Sequence, residues 1–352
     1  MALSMPAPPD FTLSFCIPTY NRSVLVCALV RRVLQCPAAD IEVLVLDNGS
    51  TDDTLKRLAQ IDDPRLSIHS NGHNRGVLFN VVNVLLMARG QYSVLLLDKD
   101  SADPTLIESF LDFLLREAPA CGYSEYGGNR TLTPTVFAPG VTGLVAVGYT
   151  CRHPTGYFYR SDLLRQLDVA NRFIDYDYVG HFPFDFIMAE CSLRGPAAVV
   201  HAPLFAPEPL SSAAATKSFG TNAANEHAFF SPKGRLKMTV NFTRHISGLP
   251  VPVTVKRRLI LDRIVEGLFA ATVGYRSLLR NEAICTHYHI ITRRINLIET
   301  MRAGRTFLRS FFEAYPRGAV APGVQVSRTT VIAKVAARLS RALKRRLQQQ
   351  IP

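Results

Sequence analysis

The first hundred residues repeat one pattern, a short apolar segment followed by a segment with helical spacing. The apolar segments TLSFCIP, IEVLVLD, RLSIHS and YSVLLL predict four strands, and residues 24–35, 51–60 and 77–89 predict the intervening helices. Repeated βα units of this length predict an α/β fold, a mostly parallel sheet with helices on both faces. Ligands of such sheets bind outside the carboxyl ends of the strands, so polar residues at those ends are the candidate site residues.

Composition limits the class of protein. The chain has 352 residues, of which 47% are hydrophobic, enough for a full core and two or three domains. Its seven cysteines form no CxxC pair, which favours buried reduced thiols over disulfides or zinc ligands. We expect neither a signal peptide nor a transmembrane helix, because the N-terminus lacks a basic, apolar leader and no apolar run approaches membrane-spanning length.

The positive charge is concentrated at one end of the chain. The net charge is +12, and residues 250–352 contain 19 Lys and Arg against 5 Asp and Glu. The tail, residues 328–352, combines basic residues with an apolar series at spacing four: Val331, Val335, Leu339, Leu343 and Leu347. This pattern predicts a basic amphipathic helix on an anionic membrane surface; a helix packed on its own domain and an oligomer contact are the alternatives. The tail has no aromatic residue, so we expect no nucleic-acid partner.

Polar or ring-bearing residues follow the first strand, in the order Pro18, Thr19, Tyr20, Asn21 and Arg22. One interpretation is a nucleotide pocket in which Thr19 or Tyr20 lies beside the base. The other is an ordinary strand-to-helix turn with Asn21 as the helix cap.

Acidic residues end two further strands. Asp47 and Asn48 follow the second strand, where a carboxylate accepts hydrogen bonds from a base or a ribose, or caps the next helix. Gly49 allows close approach of the backbone. Asp98 and Asp100 follow the fourth strand, where two carboxylates bind a divalent cation between diphosphate oxygens, or form a solvated turn.

In this order and spacing, the motifs resemble those of family 2 glycosyltransferases, which have the GT-A fold. The matching segments are SFCIPTYNR, VLVLDNGSTDDT, NRGVLFN, ARGQYSVLLLDKD, DFIMAECSLRG and VVHAP. The resemblance implies a GT-A domain over residues 1–205. We expect a mobile loop or lid over residues 206–240 and a helical, basic C-terminal region over residues 241–352.

The resemblance also implies roles for residues at the strand ends. Thr19, Tyr20 and Asp47 would surround the nucleobase and ribose, and Arg75 would lie beside the nucleotide. Asp98 would contact ribose or metal, and Asp100 would bind metal and diphosphate. The implied cofactor is Mn²⁺ or Mg²⁺, which neutralises the departing nucleoside diphosphate.

The catalytic base of inverting family members corresponds to Asp185, ten residues before Gly195. Phe184 stands where the family carries a glutamate, so half of that motif is absent. The alternative is that Asp185 is a helix N-cap without a chemical role, in which case His181 or Asp177 would be the base.

His201 ends the predicted strand AAVVHAP. It would complete the metal or diphosphate site, or it is a structural residue.

Together these features predict an inverting, metal-dependent transfer of a sugar from a nucleoside-diphosphate sugar, with a UDP-sugar as the first choice. The expected acceptor is a hydroxyl of a glycan or lipid-linked saccharide in bacterial envelope polysaccharide synthesis. We expect the protein in the cytoplasm, peripherally bound to the inner face of the plasma membrane. The alternatives are a sugar nucleotidyltransferase, which needs a glycine-rich loop that IPTYNR lacks, and a nucleic-acid-binding protein that uses the tail.

Overall fold

The computed structural model describes residues 10–126, 131–180, 182–207, 229–287, 290–315 and 324–348. The chain divides into two compact units, Met1–Thr216 and Lys217–Pro352. The first unit contains the sheet and the second is helical.

The strands of the first unit form one large sheet and one short ribbon. They are β1 (Phe11–Thr19), β2 (Ile41–Asp47), β3 (Leu66–Ser70), β4 (Gly90–Leu95), β5 (Ser101–Ala102), β6 (Cys121–Glu125), β7 (Thr133–Phe137), β8 (Tyr157–Arg160), β9 (Ala197–His201) and β10 (Phe205–Ala206). The eight-stranded sheet has the order β3-β2-β1-β4-β8-β6-β9-β7, and β10 pairs with β5. Only β8 and β7 run against the other strands of the large sheet, so the predicted mostly parallel α/β sheet is confirmed.

Helices connect these strands and build the second unit. They are α1 (Ser23–Val33), α2 (Thr54–Leu58), α3 (Val77–Met87), α4 (Ile107–Glu117), α5 (Val141–Val147), α6 (Ser161–Gln166), α7 (Val169–Arg172), α8 (Tyr176–Val179), α9 (Pro183–Ser192), α10 (Pro232–Gly248), α11 (Val253–Phe269), α12 (Tyr275–Leu278), α13 (Glu282–His287), α14 (Leu297–Ala314) and α15 (Arg328–Gln348). A 3₁₀ turn, Pro104–Leu106, precedes α4, and a π-helical turn, Ala270–Gly274, follows α11.

The parallel core of the sheet places the polar strand ends side by side. Every residue of β2 is buried, as expected for a strand covered by helices on both faces. In the register of β1 and β2, Thr19 is paired with Asp47, the last residue of its strand. The loops that follow β1, β2 and β4 therefore lie at one edge of the sheet.

The second predicted helix is shorter than the pattern indicated. It begins at Thr54 instead of residue 51. The backbone amides of Thr51 and Asp52 donate to the side chain of Asn21, at 2.8 and 3.4 Å, so these residues are held by the neighbouring loop.

The second unit is helical, as predicted for the C-terminal region. Leu268, Ala271 and Phe307 form a buried apolar cluster among its helices. The expected loop over residues 206–240 ends before Pro232, where α10 begins, and residues 208–228 lie outside the described residues.

The amphipathic tail packs on its own unit over the first part of α15. Val331 is fully buried, and Val335 packs against the apolar cluster of Leu268 and Phe307. Lys334 forms an ion pair with Asp262 of α11. The alternative of a helix packed on its own domain therefore describes this part of the tail. In the part of the chain that the structure describes, no helix is long and apolar enough to cross a membrane.

Candidate active site

Asp47 organises the loop that follows β2. Its carboxylate is fully buried and accepts hydrogen bonds from the backbone amides of Gly49 (3.1 Å) and Ser50 (3.0 Å) and from the hydroxyl of Ser70 (2.9 Å). Gly49 has a φ of +76°, and a Cβ there would lie 2.4 Å from the backbone of His73. The expected close approach at Gly49 is confirmed. Contact of Asp47 with a base or ribose stays a prediction.

An amide network joins this loop to the segment before α3. The side-chain oxygen of Asn48 accepts from the Asn71 amide group and from the Arg75 backbone, both at 3.0 Å. Asn71 also donates to Asn80, at 2.9 Å. The Arg75 guanidinium stacks 3.5 Å from the centre of the Phe79 ring. Arg75 is thus fixed at the carboxyl edge of the sheet, beside Asn48.

The residues after β1 face the same edge. Thr19 is buried, whereas Tyr20 is 40% exposed. Asn21 is not the cap of α1, which begins after Arg22, because its side chain bridges to the loop after β2. Pro18 is still within β1 and pairs with Leu46.

Asp98 is buried beside a cation and a hydroxyl. Its carboxylate accepts from the Arg22 guanidinium at 2.6 Å and from the Thr19 hydroxyl at 2.9 Å. Burial raises the pKa of Asp98 above its ordinary value, although the positive charge of Arg22 opposes the rise, and the nearby carboxylate of Asp100 adds to it. The structure therefore brings Thr19, Arg22 and Asp98 together.

Asp100 contacts a segment that the sequence did not single out. Residues 150–156, which we call the site loop, precede β8. The imidazole Nε2 of His153 lies 2.6 Å from Asp100, and the Thr155 hydroxyl also contacts this carboxylate. The Thr155 hydroxyl accepts from the Leu97 amide at 3.0 Å, which anchors the loop to the end of β4. The sequence does carry one indication of these contacts: in the segment RHPTG, residues 152–156, polar side chains precede a glycine, a pattern typical of a loop.

Asp185 contacts the other end of the site loop. It is fully buried in the first turn of α9, and its Oδ1 accepts from the Cys151 amide at 3.0 Å. The Tyr157 hydroxyl lies 3.4 Å from the same oxygen, and burial, with the Asp185 charge, raises the pKa of Tyr157 well above its ordinary value. The N-cap residue of α9 is Phe182, so Asp185 is not the N-cap of this helix. The site loop therefore links Asp100 to Asp185.

The site loop begins in strained backbone. Tyr149 and Cys151 have φ values of +55° and +51°, a region that residues with side chains rarely adopt. Such conformations cost on the order of 1–3 kcal/mol each and cluster at functional sites. Without its contacts to Asp100 and Asp185, the backbone at Tyr149 and Cys151 would favour negative φ values. These contacts thus hold the site loop in a conformation that its own residues disfavour.

The remaining candidates lie apart from this arrangement. His201 ends β9, as predicted, but its ring contacts Glu125 at 2.7 Å and Thr135 at 3.1 Å. Within the described ranges, no three His, Cys, Asp or Glu side chains come together as a metal-binding group. The structure therefore does not assemble Asp98, Asp100 and His201 into one ligand set. Asp177 is exposed in α8, and His181 lies outside the described residues.

The chemistry of the donors at the end of β4 fits a hard divalent cation. Asp98 and Asp100 are both 5% exposed, and the hydroxyls of Thr19 and Thr155 touch them. Carboxylate and hydroxyl oxygens are ligands that Mg²⁺ and Mn²⁺ prefer. A cation there would share Asp98 with Arg22 and Asp100 with His153.

Comparison with known proteins relates this site to a family. The family described as glycosyl transferase family 2 matches residues 14–164. A relative from Campylobacter jejuni subsp. jejuni serotype O:2, GalNAc(5)-diNAcBac-PP-undecaprenol beta-1,3-glucosyltransferase, is 32% identical over 120 residues, which are 33% of this chain and 37% of the relative. The chain spans 17% to 52% of the lengths of the curated relatives that it matches.

Solved structures show the same fold. S. aureus TarS 1–349 in complex with UDP-GlcNAc has a TM-score of 0.53 and 12% identity, with 88% of this chain and 92% of that chain covered. The mannosyltransferase PcManGT from Pyrobaculum calidifontis, in complex with GDP-Man and Mn²⁺, has a TM-score of 0.50 and 13% identity, with 94% and 88% covered. The predicted GT-A fold is confirmed. The resemblance to family 2 glycosyltransferases is confirmed, and residues 14–164 are the part of the chain that carries the match.

Proposed function

We propose that the chain transfers a sugar from a nucleoside-diphosphate sugar to a hydroxyl of a glycan or lipid-linked saccharide, with inversion at the anomeric carbon. The observation that carries this proposal is the site loop, which contacts both Asp100 and Asp185. One loop thus connects the residue expected at the diphosphate to the residue expected at the acceptor. A UDP-sugar is the first candidate donor, because TarS has been solved with UDP-GlcNAc.

The reaction needs one base and one group that receives negative charge. The acceptor hydroxyl gives its proton to the Asp185 carboxylate while its oxygen forms the new bond to the anomeric carbon. The bond from that carbon to the diphosphate breaks, and its electron pair leaves with the diphosphate. Arg22, already 2.6 Å from Asp98, supplies a positive charge at the same edge of the sheet.

Asp98 and Asp100 are the residues that would hold Mn²⁺ or Mg²⁺. A bound cation would neutralise negative charge on the leaving diphosphate. The presence of Mn²⁺ in the PcManGT complex supports this assignment.

Asp185 becomes accessible to an acceptor only if the site loop moves, because its carboxylate is fully buried. The positive φ values of Tyr149 and Cys151 identify where the backbone would change conformation. In the proposed cycle, binding of the donor at Asp100 displaces His153 and with it the loop that covers Asp185.

The acceptor class is proposed from a relative. The name of the Campylobacter jejuni relative specifies a PP-undecaprenol-linked saccharide, and on that basis we propose bacterial envelope polysaccharide synthesis at the inner membrane surface. The test is release of nucleoside diphosphate from a panel of UDP-, GDP-, CDP- and dTDP-sugars, with and without lipid-linked saccharides. Release that depends on an acceptor supports the proposal. Release from no sugar nucleotide with any acceptor in the panel counts against it.

A further inference from the structure

Large apolar side chains are exposed to solvent in one short stretch of the second unit. Ile291 is 87% exposed, Met301 is 67% exposed, and Leu297 and Ile298 are each 63% exposed. Single exposed apolar residues are common, but a group within one short stretch marks an interaction surface. We call this group, together with Arg302 and Arg305, the α14 surface.

The geometry of α14 places this surface away from the interior of its unit. Successive residues of an α-helix are turned by about 100°, so Leu297, Ile298 and Met301 lie on one side of the helix. The buried Phe307 and Phe311 lie about 180° and 140° around the helix from Ile298, and about 120° and 80° from Met301. Leu297, about 40° from Phe311, lies at the border between the buried and the exposed faces. The exposed apolar residues are therefore additional to those that pack the helix on its own unit.

The charges around the α14 surface are mainly positive. Arg293, Arg294, Arg302 and Arg305 are all exposed. The single acid between residues 290 and 305 is Glu299, and it forms a 2.6 Å ion pair with Arg293. Exposed apolar side chains flanked by arginines suit the boundary between headgroups and acyl chains of an anionic membrane.

We propose that the α14 surface is where the protein docks on an anionic lipid bilayer. This inference rests on the proposed function and deepens it, because it names the surface that would bring the enzyme to a lipid-linked acceptor. The tail helix α15 is the weaker candidate, since Val331 is fully buried and Val335 is packed against its own unit. On α15, Ile332 and Leu339 remain 58% and 47% exposed, so they provide a matched control.

The test measures co-sedimentation of the full chain with vesicles of phosphatidylglycerol and phosphatidylcholine, and with vesicles of phosphatidylcholine alone. The double variant Ile298→Glu, Met301→Glu should lower binding to the anionic vesicles by at least about tenfold, since it places charge in an apolar contact. The matched variant Ile332→Glu, Leu339→Glu should keep an affinity for the anionic vesicles within about twofold of the wild type. That change is well below the tenfold loss expected for the α14 variant. Arg302→Gln, Arg305→Gln should weaken binding and reduce its dependence on salt.

All substituted side chains are exposed, so the melting temperature should be unchanged, and this is measured for each variant. Equal vesicle binding by the wild type and the Ile298→Glu, Met301→Glu variant overturns the proposal, as does a loss confined to the α15 variant. The proposal is also overturned if neither the wild type nor the Ile298→Glu, Met301→Glu variant binds vesicles, and the wild type is a dimer that this variant dissociates. In that case the α14 surface binds a second copy of the chain. Vesicle binding needs no donor or acceptor. Transfer to a water-soluble acceptor analogue therefore reports separately on the proposed function.

Discussion

Replacing Asp185 with asparagine removes a proton acceptor while keeping the shape of the side chain. In the structure, Oδ1 accepts from the Cys151 amide at 3.0 Å and lies 3.4 Å from the Tyr157 hydroxyl. The amide oxygen of asparagine can accept in the same position. Asp185→Asn should therefore fold with nearly unchanged stability. If Asp185 is the base, turnover should fall by about 10²–10⁴-fold, the usual contribution of general-base catalysis.

Asp185→Ala separates the chemical role from the structural one. Alanine provides no acceptor for the Cys151 amide, and a lost buried hydrogen bond of this kind costs about 1–3 kcal/mol. The melting temperature should fall by roughly 2–4 °C for each kcal/mol in a domain of this size. Both variants should lose turnover to a similar extent, whereas only Asp185→Ala should lose stability.

The assay follows nucleoside diphosphate release at saturating acceptor, with the KM for the donor measured in parallel. Donor KM should change little in Asp185→Asn, because the residue is expected to face the acceptor. Near-normal turnover in Asp185→Asn would refute the base role and leave Asp185 as the residue that holds the site loop. Asp177 and His181 would then be the next positions to substitute.

Two further predictions concern the stability of the sheet. Gly49→Ala should destabilise by more than about 2 kcal/mol, because its φ is +76° and a Cβ would meet backbone at 2.4 Å. Gly72→Ala, with a φ of +74° and nothing within 4 Å of a Cβ, should cost only about 1 kcal/mol; equal losses in urea unfolding contradict the steric argument. Burial opposes ionisation of Glu42, but Ser14 and Arg89 hold its pKa below the ordinary value, so its stabilisation is present at neutral pH and is lost as pH falls through the folded pKa. Glu42→Gln should therefore lower stability at neutral pH, and the loss should shrink as the pH falls below the ordinary glutamate pKa of about 4.3; a loss that is the same at all acidic pH values contradicts this reasoning.

Local sequence signals were sufficient for the parallel half of the sheet. The segment IEVLVLD became β2 over the predicted residues, because it is a continuous apolar run that ends in turn-forming residues. Once the strands are parallel, their carboxyl ends share an edge. This places Thr19, Asp47 and Asp98 near one another without further information.

The site loop was not predictable in the same way. His153 and Thr155 reach Asp100 across more than fifty residues of sequence, and the contact depends on β8 running antiparallel between β4 and β6. A chain reversal of this kind leaves no periodic signal in the sequence.

The tail shows a second limit of sequence patterns. An apolar series at helical spacing predicts that one face of a helix is covered, but not by what. In α15 that face packs partly on its own unit, through Val331 and Val335. The α14 surface has no such regular pattern, and it became visible only from the exposure of its side chains.

We propose that Asp98 and Asp100 form the cation-dependent part of a nucleotide-sugar site. The most direct measurement is the melting temperature of the wild type and of Asp100→Ala with a panel of nucleoside diphosphates, in Mn²⁺ and in EDTA. At a ligand concentration about one hundred times Kd, binding stabilises by about 2.7 kcal/mol, or roughly 5–10 °C. We predict such a rise for at least one nucleotide in the wild type with Mn²⁺, and none in EDTA or in Asp100→Ala. The same rise in EDTA and in both proteins, or no rise with any nucleotide, would contradict the claim.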